Sequence, residues 1–209
     1  EAERLHVPLF RSRLITGRFV NMATLLLDID FAPKVTEHGT MLDILGIGVL
    51  IKGASGVGKS ECALALLERG YSLVSDDVTR VYVLDGRELM ASSPDETRYH
   101  MEVRGLGIIN VASVFGVGAI RNEKRIDLVV TLENSDSEEA VERIGMEQDY
   151  YEILGIRVPH VKIPVRPGRD IARLVEVAAL DQKLRAMGHH AAKEFNERLI
   201  SRMRRETGE

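Results

Sequence analysis

Residues Gly53-Ala54-Ser55-Gly56-Val57-Gly58-Lys59-Ser60 constrain the fold of this chain more than any other stretch. They fit the pattern G-x-x-x-x-G-K-[ST], a glycine-rich loop whose backbone N–H groups form a nest for phosphate oxygens. The pattern works only between a strand and a helix, and both are predicted here. Leu45 to Ile51 is an apolar run with the character of a strand. Glu61 to Arg69 has helical spacing, with Cys62, Ala63, Leu66 and Leu67 on one face and Gly70 at its stop. The helix N-terminus adds partial positive charge to the nest. Lys59 is placed to reach the β- and γ-phosphates, and Ser60 to offer its hydroxyl to a magnesium ion. The loop therefore predicts nucleotide or polyphosphate binding, but it does not name the reaction.

The chain has 209 residues, enough for one well-cored domain or for one domain with an appendage. With a formal net charge of −4, its overall field does not favour nucleic acid as a partner. Cys62 is the sole cysteine, so no intramolecular disulfide is possible and a reducing cytoplasm is the expected compartment. On the inner face of the predicted helix it is expected to be a buried structural thiol. No apolar run approaches the roughly 20 residues needed to span a bilayer, so no membrane association is expected. The N-terminus has neither an initiator Met nor the shape of a signal peptide, which suggests a fragment or a processed chain.

Along the chain, Phe19 to Asp30 is apolar and β-rich enough for one or two strands. Pro33 to Thr40 carries loop signals, and Met41 to Lys52 is predicted as a hairpin through Gly46. Strands are predicted at Tyr71–Ser75 and Val78–Leu84, the latter entering Arg87–Ala91 through an Asp85-Gly86 turn. Tyr99 to Arg104 is extended, and Ile108 to Phe115 is either a short helix or a loop. Leu128-Val129-Val130 lies in a buried strand, Glu133 to Gln148 is solvated loop, and Ile153 to Val165 is extended. Asp170 caps a long helix with Ile171, Leu174, Val175, Ala178, Leu184 and Met187 on its apolar stripe, ended by Gly188. A last helix carries Ala192, Phe195, Leu199 and Met203. Regular strand–helix alternation is missing, so the expected fold is α/β with a sheet of mixed direction and helices at the C-terminus.

A phosphoryl-transfer site also needs metal-binding carboxylates, a group to take the acceptor's proton, and positive charge for the transition state. The acidic candidates are Asp76-Asp77, Glu102, and Asp127 or Glu133 beside Leu128-Val129-Val130. The last pair holds the usual position of an acid flanking an apolar strand. Asp76-Asp77 directly follows a buried strand, where α/β sheets commonly place their ligand crevice. A proton acceptor and a plain turn cap are equally good readings of that pair. His38 is a candidate proton carrier, although a lone loop histidine is more often simply exposed. His189 and His190 are expected at the surface. Arg143, Arg166 and Arg169 are candidates to neutralise phosphate, none of them compelling alone.

Several segments together carry a resemblance. Glu37-His38-Gly39 precedes the phosphate loop and Ser75-Asp76-Asp77 follows it. Glu102-Val103-Arg104-Gly105-Leu106-Gly107-Ile108-Ile109-Asn110-Val111 and Pro164-Val165-Arg166-Pro167-Gly168-Arg169 come next. In this order they resemble the bacterial HPr kinase/phosphorylase family from about Phe19 to the C-terminus. The Glu102–Val111 block is the family signature and is far more specific than the phosphate loop. The resemblance implies a domain whose phosphate-loop sheet is similar to that of phosphoenolpyruvate carboxykinase. Residues 1–25 would be a linker or remnant, and residues 26–209 the catalytic domain.

The implied activity is bifunctional. In one direction a serine of HPr, the phosphocarrier of the sugar phosphotransferase system, is phosphorylated by ATP with Mg2+ or Mn2+. In the other, inorganic phosphate removes the phosphoryl group as pyrophosphate, and the balance regulates carbon metabolism. The resemblance makes His38, Lys59, Asp77 and Arg143 catalytic, with Asp77 as the proton acceptor, and gives the metal to Ser60 and Glu102. Asp76 would orient Asp77 or help with the metal. Residues Met101 to Asn110 would act in both directions. Pro164, Val165, Arg166, Pro167, Gly168 and Arg169 would act mainly in dephosphorylation. Asp127 and Glu133 become structural, and family members are hexamers. The competing readings are a small-molecule kinase and a nucleotide-controlled switch. The chain contains no Asn-Lys-x-Asp and no Leu-Ser-Gly-Gly motif.

Overall fold

A computed structural model gives the fold, and the structure describes residues 2–134 and 148–189. Chain order begins with α1 (Thr16–Phe31), β1 (Lys34–His38), β2 (Thr40–Ile44), β3 (Ile47–Gly53), α2 (Lys59–Glu68), β4 (Ser72–Ser75), β5 (Val78–Leu84) and β6 (Glu88–Ser92). It continues with β7 (His100–Val103), β8 (Gly107–Asn110), α3 (Val111–Phe115), β9 (Glu123–Arg125), β10 (Leu128–Asn134), β11 (Asp149–Ile153), β12 (Ile156–Val165) and α4 (Ile171–Ala186).

The central sheet is mixed, in the order β11-β12-β10-β3-β2-β4. The β3, β10 and β12 strands are parallel, whereas β2 and β11 run against their neighbours. The predicted hairpin between β2 and β3 forms at Leu45-Gly46, whose φ values of +52° and +90° match a two-residue turn of the primed type. Both faces of this sheet are covered, and its strands alternate accordingly. Leu128, Val130 and Leu132 pack with Cys62, Leu66, Ala172 and Val175 under the helices α2 and α4. Val129, Leu50 and Met41 pack with Val81, Leu89 and Ala91 on the opposite side. Those last three belong to a second, antiparallel sheet in the order β1-β5-β6-β9. The result is three layers: small sheet, mixed sheet, helices.

The helix after the phosphate loop buries Cys62, Ala63, Leu66 and Leu67, the face predicted from sequence. Burial raises the Cys62 thiol pKa to about 12, as expected of an inert structural cysteine. Asp170 caps α4 by accepting from Arg173 N at 2.9 Å. Arg69, just past the end of α2, reaches Asp170 at 2.8 Å and Glu176 at 2.7 Å and so holds α2 against α4.

Several sequence expectations are corrected. Phe19 to Asp30 is helix rather than strand. A twelve-residue apolar run without Gly or Pro suits either, but its length and its Met-Ala-Thr-Leu-Leu-Leu core favour helix. Pro33 ends it, and Ala32 adopts the extended conformation that a following proline demands. Lys34 to His38 is an edge strand rather than loop, because Val35 alone supplies its apolar signal. Ile108 to Phe115 divides between β8 and α3. The Ile153–Val165 run is broken by a turn at Leu154-Gly155 that starts β12. The stripe of α4 ends early, with Leu184 and Met187 exposed. The expected last helix, with Ala192, Phe195, Leu199 and Met203, lies outside the described residues, as does His190. No helix among the described residues is long and apolar enough to cross a membrane.

Candidate active site

Strand direction assembles the site. Because β3, β10 and β12 are parallel, their C-terminal ends share one edge, where Gly53 pairs with Leu132 and Glu133 with Pro164. The phosphate loop and the Pro164–Arg169 segment therefore emerge side by side. The end of β4 and the start of β2 lie at the same edge, since Met41 pairs with Ser75 and Thr40 with Ile51. Pro167-Gly168 forms a turn there, with Gly168 at φ +80° and Arg169 N donating to Arg166 O at 3.2 Å.

The phosphate loop has the expected local geometry. Gly53, Gly56 and Gly58 all have positive φ, and Gly58 leads into α2 from the left-handed region. The Lys59 ammonium folds over the loop and donates to Gly53 O (3.0 Å) and Ala54 O (3.2 Å).

Asp76 is the hub. It is buried, and its carboxylate accepts from Thr40 Oγ1 at 2.8 Å, from Ser60 Oγ at 3.3 and 3.4 Å, and from the Glu102 backbone N–H at 3.3 Å. It thus joins β2, the phosphate-loop helix and the β7–β8 hairpin. Burial raises its pKa, against the lowering effect of the hydrogen bonds from Thr40, Glu102 and Ser60. The sequence offered Asp76 as a metal-ligand candidate, and the resemblance as a residue that orients Asp77 or helps with the metal. Its contact with the loop serine across 16 positions of sequence needs the fold to appear.

Asp77 differs from it in every respect. It is exposed, and its φ of +59° is rare for a residue with a side chain. Val78 N donates back to Asp76 O at 2.7 Å, so Asp77 is the middle of a three-residue turn. Gly39 N donates to Asp77 O at 2.9 Å, and His38 ends β1 immediately before. His38 is therefore exposed at a strand end beside Asp77 rather than in a free loop. The adjoining Glu37 makes an ion pair with Lys52, which precedes Gly53, and this pair ties the His38 strand to the phosphate-loop strand. The Lys52 ammonium lies 4.8 Å from the Tyr151 ring centroid.

Ser60 Oγ and the Asp76 carboxylate form a hard-oxygen pair at the mouth of the loop, and the Glu102 residue is fixed beside them through its backbone. No cluster of three His, Cys, Asp or Glu side chains able to cage a metal occurs among the described residues. That donor set fits Mg2+, or Mn2+, which is held by one or two carboxylates together with nucleotide phosphates rather than by an all-protein cage.

Of the remaining candidates, Asp127 accepts from Gly48 N at 2.8 Å and pairs with Arg125 at the opposite edge of the sheet, a structural role. Glu133 is exposed at the end of β10, and His189 is exposed beyond α4. Arg166 is half-buried and Arg169 exposed, both at the site edge. Arg143 lies outside the described residues.

A family model described as the HPr serine kinase C-terminal domain matches residues 29–199. The chain belongs to this family. It is 45% identical over 200 residues to an HPr kinase/phosphorylase of Leptospira biflexa, covering 95% of this chain and 62% of the relative. It is 44% identical over 203 residues to one of Geobacter sulfurreducens, covering 97% and 64%. Both relatives thus extend well beyond the length that this chain spans. Among solved structures, the HPr(Ser) kinase/phosphatase of Coxiella burnetii superposes with a TM-score of 0.69 at 32% identity, covering 78% of this chain and 99% of that one. The mixed α/β fold is therefore that of an HPr serine kinase C-terminal domain.

Proposed function

We propose that residues 26–209 form the catalytic domain of a bifunctional protein-serine kinase and phosphorylase acting on HPr, with residues 1–25 leading into it. The observation that carries this reading is the split pair of carboxylates. Asp76 is buried against the phosphate-loop serine, and Asp77 is exposed next to it on a strained turn. One acid is built in for the metal and loop, and the other is free to exchange a proton with an incoming side chain.

In the kinase direction the P-loop holds ATP, Lys59 contacts the transferring phosphoryl group, and Asp77 takes the proton of the serine hydroxyl. In the reverse direction Asp77 returns that proton to the leaving serine oxygen while inorganic phosphate accepts the phosphoryl group, giving pyrophosphate. One acid must serve both directions, because the reverse path retraces the forward one. His38 beside Asp77 is positioned to hold the attacking phosphate, and Arg143 completes the catalytic set. Ser60, Asp76 and Glu102 would hold Mg2+ or Mn2+. Held there, such an ion would supply charge neutralisation to the nucleotide phosphates. Pro164, Val165, Arg166, Pro167, Gly168 and Arg169 contact the protein substrate, chiefly in dephosphorylation. The active form is a cytoplasmic homohexamer.

The test mixes the chain with serine-phosphorylated HPr, Mg2+ and inorganic phosphate and reads pyrophosphate. We expect pyrophosphate only with added phosphate, and its loss by about 100-fold or more in Asp77→Ala. Dephosphorylation without added phosphate or pyrophosphate would mean hydrolysis and end the phosphorylase reading. Nucleotide binding with no transfer to or from HPr would favour a small-molecule acceptor.

A further inference from the structure

Arg104 brings a positive charge to the phosphate loop without a carboxylate to neutralise it. Arg69, Arg80, Arg98, Arg121, Arg125 and Arg185 each lie within ion-pair distance of a carboxylate. No ion pair involves Arg104 among the described residues, and its side chain is exposed. Its placement is nevertheless fixed from below. Met101, three residues earlier, is 1% exposed in the core under α2, and the Glu102 N–H is bonded to Asp76. Arg104 then opens the hairpin tip, where Leu106 N donates to Val103 O at 3.1 Å and Gly105 has φ +85°.

This anchoring lays the guanidinium over the phosphate loop. A Cβ built on Gly56 would stand 3.0 Å from Arg104 Nη2 and 3.8 Å from its Cζ. Gly56 thus has two reasons to lack a side chain: its φ of +80° and the arginine above it. The surroundings are already positive, since Lys59 and the N-terminus of α2 face the same loop. The protein alone gains nothing from adding a third positive group there. A bound polyphosphate reverses the balance, because the guanidinium fork matches phosphate oxygens and spreads charge over two of them.

We propose that Arg104 is a catalytic residue that binds the terminal phosphoryl group of the nucleotide in the phosphate loop and stabilises it in transfer. The inference rests on the phosphoryl-transfer reading given above. The bond between the terminal phosphorus and the ADP oxygen breaks as one to the serine oxygen forms, and the proton passes to Asp77. Arg104 makes and breaks no covalent bond. It meets the charge on the equatorial oxygens, the part a cationic finger plays in phosphoryl transfer. The resemblance placed Arg104 within Met101 to Asn110, a segment expected to act in both directions, but gave that arginine no part of its own.

The test compares wild type, Arg104→Lys and Arg104→Gln, with two readouts. One is kcat for phosphorylation of HPr. The other is affinity for Mg-ADP and for Mg-ADP with aluminium fluoride, which mimics the transferring group. We expect Arg104→Gln to lower kcat by about 100-fold or more and to weaken the fluoride complex at least about tenfold, with Mg-ADP affinity within about twofold of wild type. Arg104→Lys should recover part of both losses, because charge returns without the fork. Equal affinity of wild type and Arg104→Gln for the fluoride complex would overturn the inference. So would an equal loss on Mg-ADP and the fluoride complex. If the wild type fails on HPr, the substrate reading falls, whereas the nucleotide comparison still decides the part played by Arg104.

Discussion

Asp76 is under opposing demands. On the proposed reading its carboxylate is needed in ionised form to hold a metal beside Ser60, yet burial disfavours that charge. Its folded-state pKa lies above the 3.8 of an unfolded aspartate, so ionisation favours the unfolded chain. The group's contribution to stability is therefore complete below that value and is lost as pH rises through the folded-state pKa. Asp76→Asn removes the charge but keeps the shape. We expect the variant to gain stability relative to wild type between about pH 4 and pH 7, by up to about 1 kcal/mol or about 2–4 °C in melting temperature. Phosphoryl transfer should fall by about 100-fold or more. Thermal melts at the two pH values, beside the HPr assay, check both halves. A loss of stability in the variant at neutral pH would show that the three hydrogen bonds to Asp76 outweigh its desolvation. This residue was legible in the sequence as one of an acidic pair, and the resemblance gave the proton to Asp77 and a helping part to Asp76, but the contrast in their burial was not legible. That contrast depends on which of the two side chains the fold buries.

The helices show where local sequence suffices and where it does not. Both α2 and α4 were predicted because each sits on a covered face; Asp170 was expected to cap α4, whereas α2 begins at Lys59, before the expected Glu61. The α1 helix was misread because it has no buried face to impose a periodicity: none of its residues is buried. The same reasoning explains the misread edge strand β1, in which only Val35 and Glu37 are partly covered. Asp170 has a double task, capping α4 and holding Arg69. Asp170→Ala should lower the melting temperature, chiefly through the lost cap, since half-exposed ion pairs contribute little. Melting temperature measured for this variant and for Glu176→Ala separates the two effects. The cap explanation requires the larger loss in Asp170→Ala.

The molecule as a whole depends on two sheets being pressed together at β3. A Cβ on Gly48 would lie 1.8 Å from Arg125 O, in the second sheet, and 2.8 Å from Met41 Cε. A backbone carbonyl held in a ladder cannot yield by that much. Gly48→Ala should therefore destabilise by about 3 kcal/mol or more, seen as a fall of about 6–12 °C in melting temperature. Gly17→Ala is the control: no atom lies within 4 Å of the added methyl, and it sits in α1. It should be neutral or stabilising by up to about 1 kcal/mol. Nothing in the sequence marks Gly48 apart from the other glycines, since closeness between β3 and residue 125 exists only after folding. The mixed sheet itself was legible, because apolar alternation and the absence of regular strand–helix repeats both pointed to it.

The chain passes from one sheet to the other at Gly39 and again at Asp77, and the two crossings are laced together by Gly39 N to Asp77 O, Thr40 to Asp76, and Thr79 to Gly39 O. The Asp76-Asp77 pair, to which the proposed proton transfer is assigned, lies on this seam. An inheritable change in chain length is therefore tolerated very unevenly. Loops can lengthen at Asp85-Gly86 or Leu154-Gly155 without disturbing it. One extra residue at either crossing would slip a strand's register and turn its inward side chains outward. The seam is thus a place where evolution can exchange residues but not count differently.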